Sequence, residues 1–493
     1  MVSSGLLPAK AHKREQGVQV NLIAVPDGAS TPGTASPPNE PVSKFELVTW
    51  NGPHDPENPQ NWARREKLLR SFAPLAVIFS ISFCSSIFGS ATSVTAHQYG
   101  VSEEVMKVVG NLPVMVVALA GCGVFQIPLA LARNVTTILV SRFLAGMLGS
   151  GGLAVGSGLL ADIFGPITRG IAVGTSASIM NLGSTISPIV GAYIVDRYDW
   201  RWTAWTSLIL CGVVGLLCIA LLRESSHNRL LMRRAAYLRH ETGNPNYRAQ
   251  AEMASLNPQV LLRKYCTKPV RMFCQEPILI VMTTYLTLVY GTLYLSYQLF
   301  PRAFRMRGWS VPTATLPFTA VGLGVLSALG VFSFFTMTWY KRRWVLAQKA
   351  AVDGVPARVP PEDRLPPMIL GAVLLPPSLL WFGWSGGTHW VAQVIACFFI
   401  GLSLQLIFIT GIAYIVDVYL LNTVSAISIH VMVRSLVSAS FPLFEGPMYG
   451  TLHINWSATL LACLSACIMA SPIIFRIHGP QIRSWSRFSV GGI

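Results

Sequence analysis

Charged residues are scarce in this chain of 493 residues: only 12% are Asp, Glu, Lys or Arg, whereas 52% are hydrophobic. A soluble domain carries about a quarter charged residues, so this chain has too little polar surface to coat a water-soluble globule. The apolar residues form runs of about 20 residues, the length of a helix that crosses roughly 30 Å of hydrocarbon. These features predict a multi-pass protein of the lipid bilayer.

Several functional motifs are also missing. No charged segment followed by a short apolar run and a cleavage site opens the chain. The Gly-rich stretches 149–152 and 156–158 lie in an apolar run and lack the lysine of a nucleotide-binding loop. None of the nine cysteines has metal-ligand spacing with a histidine, and we interpret those in apolar runs as small buried side chains. We therefore expect no cofactor, no metal ion and no enzymatic activity.

Eleven apolar segments are predicted to be transmembrane helices, which makes the fold class all-α and polytopic. Helices are expected because a lipid-facing backbone must satisfy its own hydrogen bonds. The apolar runs are continuous and do not alternate as the strands of a membrane β-barrel do. The predicted segments are 68–90, 111–131, 136–160, 170–195, 203–222, 277–299, 314–337, 367–385, 390–416, 424–447 and 457–477.

The net charge of +16 comes mainly from residues between the apolar runs, where Arg and Lys orient helices rather than bind nucleic acid. Four basic regions are predicted to be cytoplasmic: the flank at 64–70, the interruption 223–276, the loop at 341–364 and the C-terminal tail. The interruption holds ten Arg and Lys against four acids. Its stretch Arg229–Arg239 has the spacing of a basic helix that lies along the membrane surface.

This orientation requires an even number of crossings between cytoplasmic regions. Two segments lie between the interruption and the second basic loop, and four lie between that loop and the C-terminal tail, but five lie between the N-terminal flank and the interruption. Residues 91–110 are too short and polar to supply a sixth crossing. Either one span of the first half has escaped detection, or the first span is inverted, or the chain lacks one span.

The two halves also contain an internal repeat. Asp162, Pro188 and Trp202 follow one another at intervals of 26 and 14 residues, and Asp417, Pro442 and Trp456 at intervals of 25 and 14. Two related halves joined by a basic loop are typical of secondary transporters. The predicted segments are a disordered cytoplasmic tail (1–45), a first helical half (46–222), a basic cytoplasmic loop (223–276), a second helical half (277–477) and a second cytoplasmic tail (478–493).

The signature Trp50–Trp62, which reads WNGPHDPENPQNW, resembles the fungal drug:proton antiporters of the major facilitator superfamily. The similarity continues over about 46–490, through stretches that include Ser141–Gly146, Asp199–Trp202, Arg364–Met368 and Val433–Phe444. It implies a fold of two helical bundles with a norm of 12 spans, a small-molecule substrate, a proton as coupling ion, a monomer, and multi-pass insertion in the plasma membrane.

One departure from that family coincides with the missing crossing. In the family a second span and a Gly-acid-Gly-Arg-Arg loop, called motif A, precede the segment at 111–131. Here Gly110 runs directly into Asn111, and nothing resembling either feature is present. A gene-model error, a degenerate gene and a working protein of eleven spans remain alternative explanations.

Arg142 is a candidate for proton coupling, and residues of the segment 170–195 are candidates for helix packing. Arg142 lies inside an apolar run, matches the motif-B arginine that the resemblance implicates in proton coupling, and could instead bond to backbone carbonyls. The segment 170–195 corresponds to the antiporter motif C, with three positions changed to small residues. Its Gly183, Pro188 and Gly191 allow close helix approach and a kink, which also serves plain helix packing.

Charged residues near segment ends are candidates for gating. Asp162 and Asp417 end equivalent segments, with Arg169 just beyond the first, and form either topology anchors or a gate pair that breaks as the halves move. Arg434 and Glu445 share one segment with Pro442. Glu445 is either a proton carrier or an acid at a helix end that faces water.

Aromatic and amide side chains within spans suit a large, weakly polar ligand. The candidate substrate contacts are Asn181, Tyr285, Tyr290, Tyr294, Gln298, Gln405 and Tyr414. Asn134 and Asn455 begin glycosylation sequons in loops predicted to be extracellular, although Asn134 lies close to the membrane.

The repeat and the charge pattern predict a secondary-active transporter, with the membrane and a small molecule as its partners and no nucleic acid. The resemblance implies proton-coupled export of hydrophobic small molecules, either drugs, toxins or fungal secondary metabolites. One alternative is a carrier of polyamines or other organic cations. Another is a membrane protein that does not transport, either a sensor or a decayed paralogue.

Overall fold

A computed structural model describes residues 21–22, 46–51, 55–87, 115–221, 227–249, 267–349, 359–486 and 488. The chain divides into a small unit, Met1–Ala63 with Glu224–Ser255, and a helical bundle, Arg64–Arg223 with Leu256–Ile493. Residues 91–110 and the junction between Gly110 and Asn111 lie outside the described residues. The tail predicted over 1–45 also lies outside them, except for Asn21–Leu22.

The helices are numbered along the chain, and α6 (His227–Thr242) belongs to the small unit. The helices of the bundle are α1 (Arg64–Ile87), α2 (Met115–Ala130), α3 (Val135–Ile163), α4 (Pro166–Arg197), α5 (Arg201–Leu221), α7 (Lys268–Gln275), α8 (Pro277–Arg305), α9 (Phe318–Phe335), α10 (Lys341–Lys349), α11 (Pro366–Trp384), α12 (Trp390–Val418) and α13 (Thr423–Ser484).

The described residues contain 8 helices that are long and apolar enough to cross a membrane, together with the shorter apolar helices Leu119–Ala130, Val135–Gly149 and Ser425–Ser438. Each of the eleven segments predicted from the sequence overlaps one of these helices. The last two segments lie on either side of His453, whose φ of 55° and ψ of 179° interrupt α13. The predicted all-α polytopic fold is confirmed.

Apolar side chains also cover the outside of the bundle. Leu216 is 70% exposed, Phe334 72% and Phe444 64%. In a soluble protein such side chains would face water at a cost of about 25 cal/mol per Å² of apolar surface. Their exposure on spanning helices fits a surface that is solvated by lipid.

Close packing of α1 against α4 depends on Gly183. A Cβ atom at this position would lie 2.7 Å from the backbone oxygen of Phe79, so only glycine allows the helices to approach this closely. The Ser82 hydroxyl joins the two helices by donating to the Met180 oxygen at 2.6 Å. Pro188 lacks the amide that would bond the Ser184 oxygen, and the Ser187 hydroxyl donates to that oxygen at 3.2 Å instead.

The first half of the bundle consists of α1–α5 and the second of α7–α13. Helix α4 connects them by packing along α9 and against α12. Gly174 of α4 allows this contact, because a Cβ atom there would lie 3.0 Å from Ile409 and 3.4 Å from Phe332. The second half has a large aromatic core that includes Phe300, Phe318 and Phe382.

The N-terminal signature belongs to the small unit. Strand β2 (Glu46–Leu47) pairs with β1 (Asn21–Leu22) and with β3 (Tyr247–Arg248), which follows α6. Asp55 accepts hydrogen bonds from the amides of Asn51 at 2.8 Å and Glu57 at 3.0 Å, and from the Arg234 guanidinium of α6 at 2.7 Å. The described residues of the signature, 50–51 and 55–62, are therefore tied through Asp55 to the basic helix predicted within 223–276.

Candidate substrate pocket

A cleft lies between the two halves of the bundle, about midway along the spanning helices. It holds about 340 Å³ of space between atoms, but its enclosed part admits only about 10 Å³, room for one water molecule. Its lining is mostly apolar and comes from α4, α8, α9 and α12: Asn181, Thr185, Val289, Tyr290, Leu293, Val321, Val325, Gly401, Leu404, Gln405 and Phe408.

Two amides join the halves at this cleft. The Asn181 side chain of α4 donates to the Gln405 oxygen of α12, and the Gln405 amide donates to the Ser178 hydroxyl at 3.0 Å. Asn181 is 7% exposed and Gln405 1%. Because buried amides need partners, this chain of hydrogen bonds holds the two halves in their contracted arrangement.

Two aromatic residues of the lining pack against a buried cation. The rings of Tyr290 and Phe408 stack with centroids 5.9 Å apart. The guanidinium carbon of Arg434 lies 4.2 Å from the Tyr290 centroid and 5.0 Å from that of Phe408. Arg434 is 7% exposed, and its Nε has no hydrogen-bond partner among the described residues. A buried cation therefore lies directly behind the pocket lining.

The structure brings together three of the seven predicted substrate contacts, Asn181, Tyr290 and Gln405. Tyr294 lies beside them, with its hydroxyl 3.4 Å from that of Tyr290. Gln298 is half-buried and does not line the cleft. Tyr285 and Tyr414 are buried in the core of the second half, where Tyr414 stacks on Phe475.

The residues predicted for proton coupling lie in different halves. Arg142 of α3 donates to the backbone oxygen of Ser85 in α1 at 3.2 Å. Glu445 of α13 is 8% exposed and acts electrostatically on Tyr449, whose hydroxyl donates to the Leu295 oxygen at 2.9 Å. Neither charge lines the cleft.

Asp417 forms its ion pair within the second half. Its carboxylate accepts from the Arg364 guanidinium, which is stacked over the Tyr340 ring at 4.0 Å. The first half touches this pair at Gly170, where a Cβ atom would lie 2.8 Å from Arg364 Nη1. Arg169 precedes that glycine, at the start of α4, and the side chain of Asp162 lies outside what the structure describes.

The comparisons with known proteins decide the family. The family description of the Major Facilitator Superfamily matches residues 79–442. The chain belongs to the major facilitator superfamily. It is 38% identical to the ascochitine biosynthesis cluster MFS transporter of Didymella fabae, over 97% of this chain and 96% of that protein. It is 37% identical to the citrinin biosynthesis cluster MFS transporter mrr1 of Monascus ruber, over 90% and 92% of the two chains.

A solved structure supports the fold. The proton:xylose symporter XylE bound to 6-bromo-6-deoxy-D-glucose superposes with a TM-score of 0.55 and 14% identity, covering 84% of this chain and 96% of that one. The predicted family is thus confirmed. This major facilitator protein is a multi-pass membrane transporter of small molecules, and its relatives are transporters rather than enzymes.

Several predicted positions of this major facilitator transporter have structural roles. Gly183 and Pro188 shape α4, Gly191 is buried on the same helix, and Pro442 lies within α13. Asn134 caps α3, because its side-chain oxygen accepts from the Thr137 amide at 2.8 Å. Asn455 is exposed, two residues beyond the break at His453.

Sequence reasoning missed two features of the bundle. His430, one turn before Arg434, is fully buried, and neither ring nitrogen has a hydrogen-bond partner among the described residues. Cys84, Cys122 and Cys211 come together in the first half. These cysteines belong to three separate helices, so no local spacing in the sequence could have revealed them.

Proposed function

We propose that this transporter exports a hydrophobic secondary metabolite, driven by the inward movement of protons. The observation that carries this proposal is the largely apolar, aromatic cleft closed by the Asn181–Gln405 bridge between the halves. Such a lining suits a planar, weakly polar ligand. The two relatives named for the ascochitine and citrinin biosynthesis clusters support a substrate of this kind.

The charges at the cleft favour a neutral or anionic substrate. None of the described lining residues is acidic, and the buried cation of Arg434 lies behind Tyr290 and Phe408. A polyamine would bring positive charge towards this cation with no carboxylate to compensate it. Export of a metabolite with a carboxyl or phenol group is therefore favoured over transport of organic cations.

Transport requires the cleft to widen. An enclosed volume of about 10 Å³ cannot hold a metabolite, so the two halves of the bundle, α1–α5 and α7–α13, must separate at the Asn181–Gln405 bridge. The segment 223–276 connects the two halves along the chain.

We also propose that Arg142 and Glu445 couple transport to protons. We propose that the transporter resides in the plasma membrane and acts as a monomer.

An accumulation assay tests this function. Cells that express the chain are compared with vector controls for retention of three fluorescent planar compounds, one carboxylated, one neutral and one quaternary-ammonium. We expect reduced retention of the carboxylated or the neutral compound, and equal retention after a protonophore collapses the proton gradient. Lower retention of only the cationic compound would favour the organic-cation carrier. Equal retention of all three would favour a sensor or a decayed paralogue.

A further inference from the structure

Three thiols from three helices meet in the interior of the first half. Cys84 of α1, Cys122 of α2 and Cys211 of α5 are 5%, 4% and 4% exposed. Their sulfur atoms all lie within 4.8 Å of one another, and Cys84 Sγ and Cys211 Sγ are 3.7 Å apart. A disulfide bond is about 2.05 Å long, so these are three free thiols that face a common point.

The 3.7 Å separation of Cys84 Sγ and Cys211 Sγ matches that of two sulfur ligands of one soft metal ion, and Cys122 Sγ lies within reach of both. Zinc–sulfur bonds of about 2.3 Å in tetrahedral geometry separate two ligand sulfurs by about 3.8 Å. Thiolates select soft ions over magnesium and calcium, which prefer oxygen ligands. We propose that Cys84, Cys122 and Cys211 form a binding site for one thiophilic divalent cation of the zinc and cadmium type.

The charges near the site favour a divalent ion. Binding replaces three S–H bonds with three metal–sulfur bonds and releases three protons, which leaves a complex of one negative charge. The guanidinium of Arg142 acts electrostatically on Cys122 and donates to the oxygen of Ser85, the neighbour of Cys84. Its positive charge compensates the complex, whereas a monovalent ion would leave an additional uncompensated negative charge in the membrane interior.

Neighbouring polar groups orient the ligands. The Gln126 amide donates to Cys122 Sγ at 3.9 Å, an interaction that becomes stronger when the sulfur is a thiolate. The Cys84 thiol donates to the Ser207 oxygen at 3.7 Å, which holds its sulfur beside that of Cys211. Arg142 is half-buried, and Ser85, whose oxygen it contacts, is exposed.

A metal ion bound to the three cysteines would link three helices of the first half. The apolar residues that surround the sulfurs, such as Val77, Leu119 and Val214, already pack α1, α2 and α5 together. Metal–thiolate bonds would add a link that does not depend on apolar packing. The first half should then move as a more rigid body, whatever the substrate.

Cadmium binding to the purified full-length chain in lipid nanodiscs, kept under a phosphine reductant, tests the site. We expect one sulfur-bound cadmium per chain, with thiolate-to-metal charge-transfer absorption and three sulfur neighbours by X-ray absorption. C84S, C122S and C211S should each weaken binding at least about 100-fold. The matched control is C397S, a fully buried cysteine of α12, which should bind as the wild type does.

Two results would overturn the proposal. One is a wild-type chain with fewer than three sulfur neighbours around cadmium, or with no sulfur-bound cadmium. The other is a loss of binding in C397S equal to that in the three variants. The number of sulfur neighbours is measured on the wild type, so this test holds even where a serine variant does not fold. Thermal unfolding without cadmium identifies any such variant.

Discussion

The side chains of Asn181 and Gln405 are hydrogen-bonded to each other across the interface between the two halves of the bundle. Each comes from a helix that lines the cleft, and both are buried. The bond forms only while α4 and α12 are close together. It therefore stabilises the contracted state relative to any state that admits a substrate.

Replacing Gln405 with Ala should open the cleft more often. The variant removes two buried hydrogen bonds that the open state does not use, to Asn181 and to Ser178, which together contribute at least about 1 kcal/mol, or about fivefold in population. A cysteine introduced at Val325 should then react at least about fivefold faster with a permeant maleimide, measured by mass spectrometry at that site. Q298A is the matched control, because Gln298 does not line the cleft. Equal labelling in Q405A and Q298A would contradict this role of the bridge.

Replacing Gly183 with Ala should destabilise the contact between α1 and α4. The added methyl would lie 2.7 Å from the Phe79 oxygen, which is backbone and cannot move aside alone. Overpacking of this kind costs about 1–3 kcal/mol, and we expect a lower midpoint of thermal unfolding in detergent. G215A is the control, since a Cβ at Gly215 would meet no atom within 4 Å beyond the neighbouring backbone of its own helix. Identical midpoints for the two variants would refute the packing argument.

Asp417→Asn should leave the Arg364 guanidinium buried without its carboxylate. Arg364 is 6% exposed, and breaking a buried pair costs about 3 kcal/mol. The midpoint of thermal unfolding should fall in D417N, and the double variant R364M/D417N should recover most of the loss. D363N, in the same short helix as Arg364, should behave as the wild type does. A double variant no more stable than D417N would show that the pair is not the source of the effect.

The hydrogen bonds around Asp55 should weaken in acid. Burial raises the pKa of this carboxyl, but the hydrogen bonds from Arg234 and from the Asn51 and Glu57 amides outweigh burial and lower it from 3.8. The stabilisation is therefore complete above the unfolded pKa and is lost as the pH falls through the lower folded pKa.

Hydrogen exchange measures this effect. The protection factors of the Asn51 and Glu57 amides should fall about tenfold in D55N at pH 7, since bonds to a charged acceptor contribute about 1.5–3 kcal/mol. In the wild type they should fall only below about pH 4. E57Q is the control, because Glu57 is 67% exposed and 3.8 Å from Arg234. Unchanged protection in D55N would exclude the proposed hydrogen bonds to Asp55.

The sequence predicted the spanning helices and family because both depend on long apolar runs and local motifs. It also drew attention to Asn181, Tyr290 and Gln405, which line the cleft, because amides and aromatics stand out within apolar segments. It did not reveal that Asp417 pairs with Arg364, since a helix end has several basic neighbours along the chain. It could not show that Tyr285 and Tyr414 lie in the core of the second half and not at the cleft, because composition does not specify which face of a helix points towards the cleft.

We propose that the cleft at Asn181 and Gln405 binds the exported substrate of a proton-driven transporter. The most direct test uses inside-out membrane vesicles with an imposed proton gradient and a fluorescent, planar carboxylated compound. We predict gradient-dependent accumulation by the wild type and by Q298A, its loss after a protonophore, and its reduction about tenfold or more in the double variant N181A/Q405A. Accumulation that ignores the gradient, or that N181A/Q405A retains in full, would contradict the account.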